Sequence, residues 1–505
     1  MLDAAWAGLV ALGTPTAIFF TVVGIVYGIV IGLLPGLGGI VAMALLLPFT
    51  WGMDFAAAMS LLIGAHIATI WGSSATSILF RVPGAAKSVA LIFDGYPMTQ
   101  RGEASRALGA SAMAAVLGGV YGAIFLAISI PITRPVMMAL GPAEYLMLAL
   151  WGLTIIATFS EGSLLKGMTA ACLGVLTAFI GMDVVTATPR FTFDSVTLMD
   201  GISFPVAMIG LFAVSEMMKL MIKGGTLIER TVTEENSSVW QGVRDACSHW
   251  GLVIRSSLLG LWIGVLPGIG QSVGSIATYA QALRTSKHPE TFGKGNVEGV
   301  IAPDASLGAN EGGGLLPTLA LGIPGGEGMA ILLIAFIGLG VVPGPQMLTH
   351  NLDLVYTLVW VVAIASIVTG IFAILLTPIL ARVPTLNPNV IVPLVLAVCV
   401  VGAYSDRQEV SDVIVAGVFG VLGYIMDKYR YSRANFVIGM VLALLIERNL
   451  HISVSLYGDW FIFQRPVALG MLFLIIFTTA WPFYKNWKRD KELKKVAQAE
   501  HGSAS

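Results

Sequence analysis

A glycine-proline phrase occurs twice inside apolar sequence, and it constrains the fold of this chain more than any other feature. Residues 31–39 read IGLLPGLGG, and residues 263–271 read IGVLPGIGQ. A second phrase also recurs, because SILFRVPGAA at 77–86 has a counterpart in TLALGIPGGE at 318–327. Pro and Gly break helices, and a broken helix survives at membrane depth only where protein or a water-filled cavity satisfies its freed backbone groups. Paired breaks in two halves predict the binding site of a transporter built on an internal repeat.

The composition predicts a membrane protein. Of the 505 residues, 56% are hydrophobic and only 11% are charged, whereas about a quarter are charged in typical soluble domains. A crossing needs roughly 20 apolar residues, so we expect an all-α polytopic membrane protein with about 12 crossings plus broken, re-entrant helices. The net charge of −1 argues against nucleic acid as a partner, and three widely separated cysteines argue against disulfides and zinc. The first residues lack a basic stretch and a cleavage site, so we expect no cleaved signal peptide.

The charges of the loops predict the orientation, because cytoplasmic loops are rich in Lys and Arg. The basic tail at 485–495 (KNWKRDKELKK) and the basic segment 219–255 are expected in the cytoplasm, as is the C-terminus. The acidic segment 183–200 is expected outside. The N-terminus is then expected in the periplasm.

Matched loops of the two halves carry opposite charge biases. Segment 81–106 is basic, while the corresponding segment 322–347 has no Lys or Arg. Conversely, segment 48–54 has no basic residue, while the corresponding segment 284–294 is basic. This exchange predicts two repeats of inverted topology, and by analogy an elevator-like transporter. The predicted parts are a first inverted transmembrane repeat at 15–222, a cytoplasmic linker at 223–250, a second inverted repeat at 251–484 and a basic cytoplasmic tail at 485–505.

The broken phrases supply candidate ligands for a small carboxylate. A helix that restarts after a break presents free N–H groups and a positive dipole end, which suit an anion. We expect substrate contacts from both halves: Pro35, Gly36, Gly38, Gly39, Ser73, Ser74, Ser77, Arg81, Pro83 and Gly84 in the first, and Pro267, Gly268, Gly270, Gln271, Gly313, Thr318, Pro324 and Gly325 in the second. For each serine the alternative is close helix packing. Arg81 is either a substrate ligand or a positive-inside anchor.

Asn310 and Glu311 are the candidates for binding a coupling ion, either Na⁺ or H⁺. Ionisable residues in apolar surroundings are costly and usually functional. His66, in contrast, is expected to be a satisfied structural histidine. No cofactor, tightly bound metal or enzymatic activity is expected, since the sequence has no HExxH, phosphate-binding loop or nucleophile elbow. Energy must then come from an ion gradient or from elsewhere in a complex, and a passive channel for small anions remains the alternative.

At these phrases the sequence resembles the large membrane subunit of the tripartite tricarboxylate transporters, the TctA family. The resemblance rests on GLLPGLGG (32–39), on VPG (82–84) followed by DGYPMTQRGEASRALG (94–109), and on GGGLLPTLALGIPG (312–325). It implies a multi-pass secondary carrier for carboxylates in the bacterial inner membrane, coupled to Na⁺ or H⁺. It also implies two partners, a small four-helix membrane subunit (TctB-like) and a periplasmic solute-binding protein (TctC-like), and it is compatible with a homodimer.

The chain departs from the family pattern at the expected site. Asn commonly stands in the family where this chain has Arg81. A PEAANNAAAGG-like run commonly stands where this chain reads PDASLGANEGGG (303–314). Because these changes fall among the candidate ligands, the sequence leaves a substrate other than a tricarboxylate open.

Overall fold

In the computed structural model the chain is almost entirely helical. The structure describes residues 1–34, 36–159, 164–183, 188–223, 228–229, 237–266, 271–380, 385–386 and 388–479. The helices of the first half are α1 (Leu2–Leu12), α2 (Pro15–Gly32), α3 (Gly39–Leu46), α4 (Phe55–Phe80), α5 (Ile92–Gln100), α6 (Ala104–Met138), α7 (Pro142–Phe159), α8 (Leu164–Ala178), α9 (Val196–Met199), α10 (Phe204–Met208) and α11 (Ser215–Lys223). A π-helical turn, Ile209–Val214, joins α10 to α11, and short 3₁₀ turns follow α3 and precede α5 at Leu47–Thr50 and Ala86–Leu91.

The second half repeats this pattern of long and short helices. It contains α12 (Val239–Ser248), α13 (Trp250–Val265), α14 (Gln271–Thr285), α15 (Glu298–Leu321), α16 (Glu327–Gly338), α17 (Pro345–Thr349), α18 (Leu352–Leu380), α19 (Pro388–Arg407), α20 (Val410–Lys428), α21 (Arg433–Tyr457), α22 (Phe461–Gln464) and α23 (Pro466–Thr479). The strands of the described part have two residues each. They form two antiparallel pairs, Gly181–Met182 with Pro189–Arg190 and Ile228–Glu229 with Thr385–Leu386.

The helices confirm an all-α polytopic membrane protein. Within the described residues, seven helical segments are long and apolar enough to cross a membrane, and six shorter apolar helices accompany them. The exposed faces of α2, α6 and α18 are lined by Val, Ile, Leu and Phe, which suits contact with lipid tails. α4 differs from these helices, because 94% of its most apolar window is buried inside the protein. α4 therefore lies at the centre of the molecule.

Equivalent helices of the two halves make equivalent packing contacts. α2 packs on α4, and α13 packs in the same way on α15. The long helix α6 of the first half packs on α15 of the second, while α18 of the second half packs on α4 of the first. α1 lies against α18, and α12 lies against α6. The two halves are therefore interleaved, each supplying a long helix that supports the central helix of the other.

Equivalent glycines make the closest of these contacts possible. A Cβ atom added at Gly28 of α2 would lie 2.2 Å from the carbonyl oxygen of Ala65 in α4. A Cβ atom at Gly260 of α13, the equivalent position of the repeat, would lie 2.3 Å from the carbonyl oxygen of Ser306 in α15. Small residues of this kind let helix backbones approach closely in membranes. The recurrence of this contact extends the sequence repeat to three-dimensional packing, whereas the boundaries and the relative orientation of the repeats remain predictions.

Candidate functional site

The two breaks of the first half meet in space. After α2 ends, Gly36 adopts a positive φ of 84°, a conformation that Gly reaches without the penalty of a side chain. Its N–H donates a hydrogen bond of 2.9 Å to the carbonyl oxygen of Gly84 in the second break. Gly38 lies beside Ala85. The peptide groups freed by one break are thus partly satisfied by the other.

The second breaks of the two halves have the same backbone geometry. α4 ends at Arg81 with φ 58° and ψ 20°, and α15 ends at Gly322, the equivalent position, with φ 68° and ψ 18°. Arg81 is exposed, and its guanidinium lies 5.8 Å from the centre of the Tyr96 ring. Non-glycine residues seldom adopt this left-handed conformation, and Asn tolerates it better than Arg. The break therefore requires a left-handed backbone conformation at residue 81, whatever the role of its side chain in substrate binding.

Pro83 and Pro324 are each followed by a glycine that touches the preceding helix. A Cβ atom at Gly84 would lie 2.5 Å from the Cα of Ser73, and one at Gly325 would lie 2.5 Å from the carbonyl oxygen of Gly314. Ser73 and Gly314 are themselves equivalent positions of the repeat. After each of these two breaks, the segment folds back onto the helix that precedes it. The two breaks are therefore hairpin-like turns.

The hydroxyls near the breaks bond to the backbone that surrounds them. Ser77 Oγ donates to the carbonyl oxygen of Ser73 at 3.1 Å, and the equivalent Thr318 Oγ1 donates to that of Gly314 at 2.6 Å. Thr318 Oγ1 also accepts from the N–H of Gly325 at 3.2 Å. These contacts give Ser77 and Thr318 a structural role at the breaks, while their role as substrate ligands remains a prediction. Gly313 likewise lies in tight contact with α13, since a Cβ there would be 2.6 Å from the Leu261 carbonyl oxygen.

A buried polar cluster joins the halves beside the breaks. Glu311 Oε1 lies 3.2 Å from His66 Nε2 and accepts a hydrogen bond of 2.6 Å from Gln271 Nε2. Gln271 Nε2 also lies 3.1 Å from Asn310 Oδ1, and Asn310 Nδ2 donates to the carbonyl oxygen of Gly260. His66 and Glu311 are 4% and 2% exposed. The structure thus brings three predicted candidates, Gln271, Asn310 and Glu311, to one place.

His66 corrects an expectation of the sequence. A satisfied structural histidine should use both ring nitrogens, but its buried Nδ1 has no hydrogen-bond partner among the described residues. Space for this ring comes from Gly39, where a Cβ atom would lie 2.3 Å from His66 Nδ1. Gln271 occupies the position of the repeat equivalent to Gly39. One half therefore leaves a gap for an imidazole, and the other fills the same place with the amide that bonds Glu311.

A second buried carboxylate lies on the same helix. Asp304 is 0% exposed, and its Oδ1 is 2.7 Å from Ser74 Oγ. The side chain of Lys87, 7% exposed, interacts electrostatically with both Asp304 and Glu311. Burying single charges is expensive, and opposite charges offset that cost. Lys87 is thus a basic neighbour shared by the two buried carboxyl groups, Asp304 and Glu311.

The segment 94–109 fixes the loop that leads into α15. Asp94 is fully buried and accepts hydrogen bonds of 2.8 Å from the N–H groups of Gly295 and Asn296 and from the Tyr279 hydroxyl. Arg101 donates to the carbonyl oxygen of Gly295. The segment after the first-half break therefore holds the loop that enters the second-half central helix.

Two cavities adjoin these elements. A cavity of about 10 Å³ lies against Glu311, Trp71 and Thr369, and it has room for a single water molecule. A larger cavity of about 540 Å³ lies where Trp51 and Gly338 face Asp406 and Arg407. The larger cavity thus lies at the C-terminal ends of α16 and of the turn after α3, away from the breaks, whereas the surroundings of Glu311 are closed in this conformation.

Four of the predicted substrate ligands lie outside the described residues: Pro35, Pro267, Gly268 and Gly270. Their counterparts or neighbours Gly36, Gly38 and Gly39 are described, as are Gln271 and the residues of the second breaks. For the first break of the second half, the structure therefore describes only the end of α13 before it and the start of α14 after it.

Interleaved halves, broken central helices and a buried charged cluster define a polytopic membrane protein of the transporter kind. Residues 18–438 match the family described as "Tripartite tricarboxylate transporter TctA family". The chain belongs to this family, as its sequence resemblance indicates.

Two proteins of Agrobacterium vitis are similar to the chain. An uncharacterised 52.8 kDa protein in the TAR-I ttuC′ 3′ region is 31% identical over 462 residues, which cover 91% of each chain. An uncharacterised protein in the TAR-II ttuC′ 3′ region is 31% identical over 215 residues, 42% of this chain and 89% of that protein. No solved structure matches the chain.

Proposed function

We propose that this chain is the large membrane subunit of a binding-protein-dependent tripartite transporter that takes up a small carboxylate, tricarboxylate or other organic acid, across the bacterial inner membrane. A TctB-like small membrane subunit and a TctC-like periplasmic binding protein would complete it. Membership of the TctA family supports the transporter class. The chain itself has no sequence motif for ATP hydrolysis, which leaves an ion gradient or another part of the complex as the energy source, and the proposal is an ion gradient.

One observation carries the proposal, namely the convergence of breaks and buried polar groups from both halves. Gln271 and Glu311 of the second half meet His66 of the first, next to helices that end in left-handed residues. If this position served only to pack the helices, apolar side chains would be expected there. Ionisable groups kept at such a cost inside a membrane protein mark the path of a solute or an ion.

The solute would bind at the breaks and the ion at the polar cluster. The free N–H groups where α3 restarts at Gly39 suit a carboxylate. Asn310 and Glu311 offer oxygen ligands to Na⁺ or an acceptor for H⁺. Because the cavity at Glu311 has room for only one water molecule, binding and release require the hairpins to move against their surroundings. We propose an elevator-like movement of both hairpins together, in the manner of carriers with inverted repeats.

The test is uptake by proteoliposomes that contain this chain with its small membrane subunit and receive the binding protein from outside. The ligand that co-purifies with the binding protein identifies the solute to use. We expect accumulation above the outside concentration when a Na⁺ or pH gradient is imposed, and none in liposomes lacking this chain. Entry that only reaches the outside concentration under every gradient would contradict ion-coupled transport and favour the channel alternative.

A further inference from the structure

We propose that Asp304 is a proton-binding site of the transport cycle, separate from the Glu311 cluster. This inference rests on the proposed function and names a coupling ion for it, H⁺, carried by a residue outside the predicted ion site. The carboxyl lies near the N-terminal end of α15, where α4, α6 and the turn Ala86–Leu91 surround it.

The hydrogen bonds around Asp304 are one proton short when the carboxyl is ionised. Ser74 Oγ lies 2.7 Å from Asp304 Oδ1 and 3.0 Å from the carbonyl oxygen of Ile70. A hydroxyl has one proton to donate, so Ser74 cannot serve a carboxylate and a carbonyl oxygen together. A proton on Asp304 Oδ1 resolves the conflict, because Asp304 then donates to Ser74 and Ser74 donates to Ile70.

The surroundings of the other carboxyl oxygen, Asp304 Oδ2, suit both the protonated and the ionised form of this carboxyl group. Asp304 Oδ2 is buried without a well-aligned hydrogen bond among the described residues, and the nearby hydroxyl of Ser111 on α6 is a donor within reach of this carboxyl group. Unpaired buried polar atoms are rare, because each forfeits a hydrogen bond that water would otherwise supply. A small rotation brings the Ser111 O–H onto Oδ2 in either protonation state. The pocket thus holds a neutral carboxyl and retains a donor for the ionised form.

The neighbouring charges allow the proton to leave. Lys87 approaches Asp304 from the turn Ala86–Leu91, and its ammonium favours the ionised carboxylate. His66 of α4 and Glu311 of α15 form the adjacent pair, and Asp94 contacts α15 one turn earlier, at Gly299. A movement that changes the distance between Lys87 and Asp304 would therefore shift the proton equilibrium of Asp304 during the cycle.

The experiment compares wild type with Asp304→Asn in proteoliposomes of the complete transporter. Asn reproduces the protonated form, since its amide can donate to Ser74, but it cannot release a proton. We expect Asp304→Asn to retain exchange of labelled for unlabelled solute and to lose accumulation driven by a pH gradient. In wild type one coupled proton drives up to about tenfold accumulation per pH unit. Asp304→Glu, which keeps the titrating group, should recover part of this response.

Two results would overturn the inference, and neither is confused with failure of the proposed function. The first is accumulation by Asp304→Asn that follows the pH gradient as in wild type. The second is wild-type uptake that responds to a Na⁺ gradient alone. Should Asp304→Asn also lose exchange, infrared difference spectra of the purified proteins between acidic and alkaline buffer decide. The inference requires a protonated-carboxyl band that titrates in wild type and is missing from Asp304→Asn. A wild type that neither accumulates nor exchanges solute would refute the carrier itself, whatever the spectra show.

Discussion

At the scale of single residues, Arg81 illustrates how backbone and function can make different demands. It occupies a left-handed position whose equivalent in the other half is Gly322. Its guanidinium rests near the Tyr96 ring on an exposed surface. The two interpretations of its charge, substrate ligand and topology anchor, both remain compatible with this placement. The backbone conformation nevertheless gives a prediction that holds for either.

Replacing Arg81 by Gly should relieve strain, whereas replacing it by Ala should not. The left-handed conformation costs an L-residue about 1–2 kcal/mol, a penalty that Gly avoids. Both variants lose the charge, so the comparison isolates the backbone. We expect Arg81→Gly to unfold at a higher temperature than Arg81→Ala in detergent, measured by intrinsic fluorescence. Equal or reversed midpoints would contradict the assigned conformation. Uptake by the same two variants then separates the roles of the charge, because a ligand role lowers both and an anchor role neither.

Glu311 gives a second prediction at this scale. Gln has the same shape and can still bond Gln271, but it removes the negative charge that faces His66. We expect Glu311→Gln to change the dependence of uptake on the Na⁺ or pH gradient without preventing insertion in the membrane. Unchanged ion dependence would remove Glu311 from the ion site. His66→Gln provides a matched control, because it disrupts the same pair from the imidazole side and leaves the carboxylate in place.

At the scale of the elements, the hairpins depend on glycines that touch the preceding helix. A Cβ atom at Gly325 would lie 2.5 Å from the Gly314 carbonyl oxygen, whereas one at the adjacent Gly326 meets nothing within 4 Å. Gly326 also has an extended backbone that any residue adopts. These neighbours therefore form a matched pair for testing whether the fold of the break matters.

We expect Gly325→Ala to lower the uptake rate at least roughly tenfold, because displacement of a binding element by about an ångström has effects of this size. Gly326→Ala should transport like wild type. Initial rates in whole cells, normalised to the amount of protein in the membrane, provide the measurement. Similar rates for the two variants would show that the close contact at the second break is dispensable.

The sequence predicted the elements better than it predicted their contacts. Pro-Gly phrases located the breaks correctly because the chemistry of Pro and Gly is local. The sequence assigned Gln271 to the substrate and Asn310 and Glu311 to the coupling ion, so it did not anticipate the contact between these side chains. The pairing of His66 with Glu311 and of Ser74 with Asp304 joins residues from different halves, and no periodic pattern in a single sequence reports such contacts. The glycine at 39 was the one available signal for His66, since a missing side chain marks a place that another group occupies.

At the scale of the whole molecule, the interleaving of halves is the main architectural result. α6 supports α15, and α18 supports α4, so neither half encloses a core by itself. The charge biases of matched loops predict that the halves face opposite ways across the membrane.

Single cysteines at matched loops test the inverted topology. In a chain whose Cys172, Cys247 and Cys399 are replaced by Ser or Ala, we place one cysteine at Met53 or at Lys287, residues that are partly or fully exposed. An inverted repeat predicts that Met53→Cys reacts with a membrane-impermeant maleimide from the periplasmic side. Lys287→Cys should react only after the membrane is permeabilised. Identical behaviour of the two positions would contradict inversion.

The central claim is that the converging broken helices form the site of a carrier rather than a pore. The most direct measurement is counterflow in proteoliposomes without any imposed ion gradient, because only a carrier couples the movement of one solute molecule to the return of another. We predict that unlabelled solute inside accelerates the initial entry of labelled solute and produces a transient accumulation above the outside concentration. Entry at the same rate with and without internal solute, rising only to the outside concentration, would contradict the account.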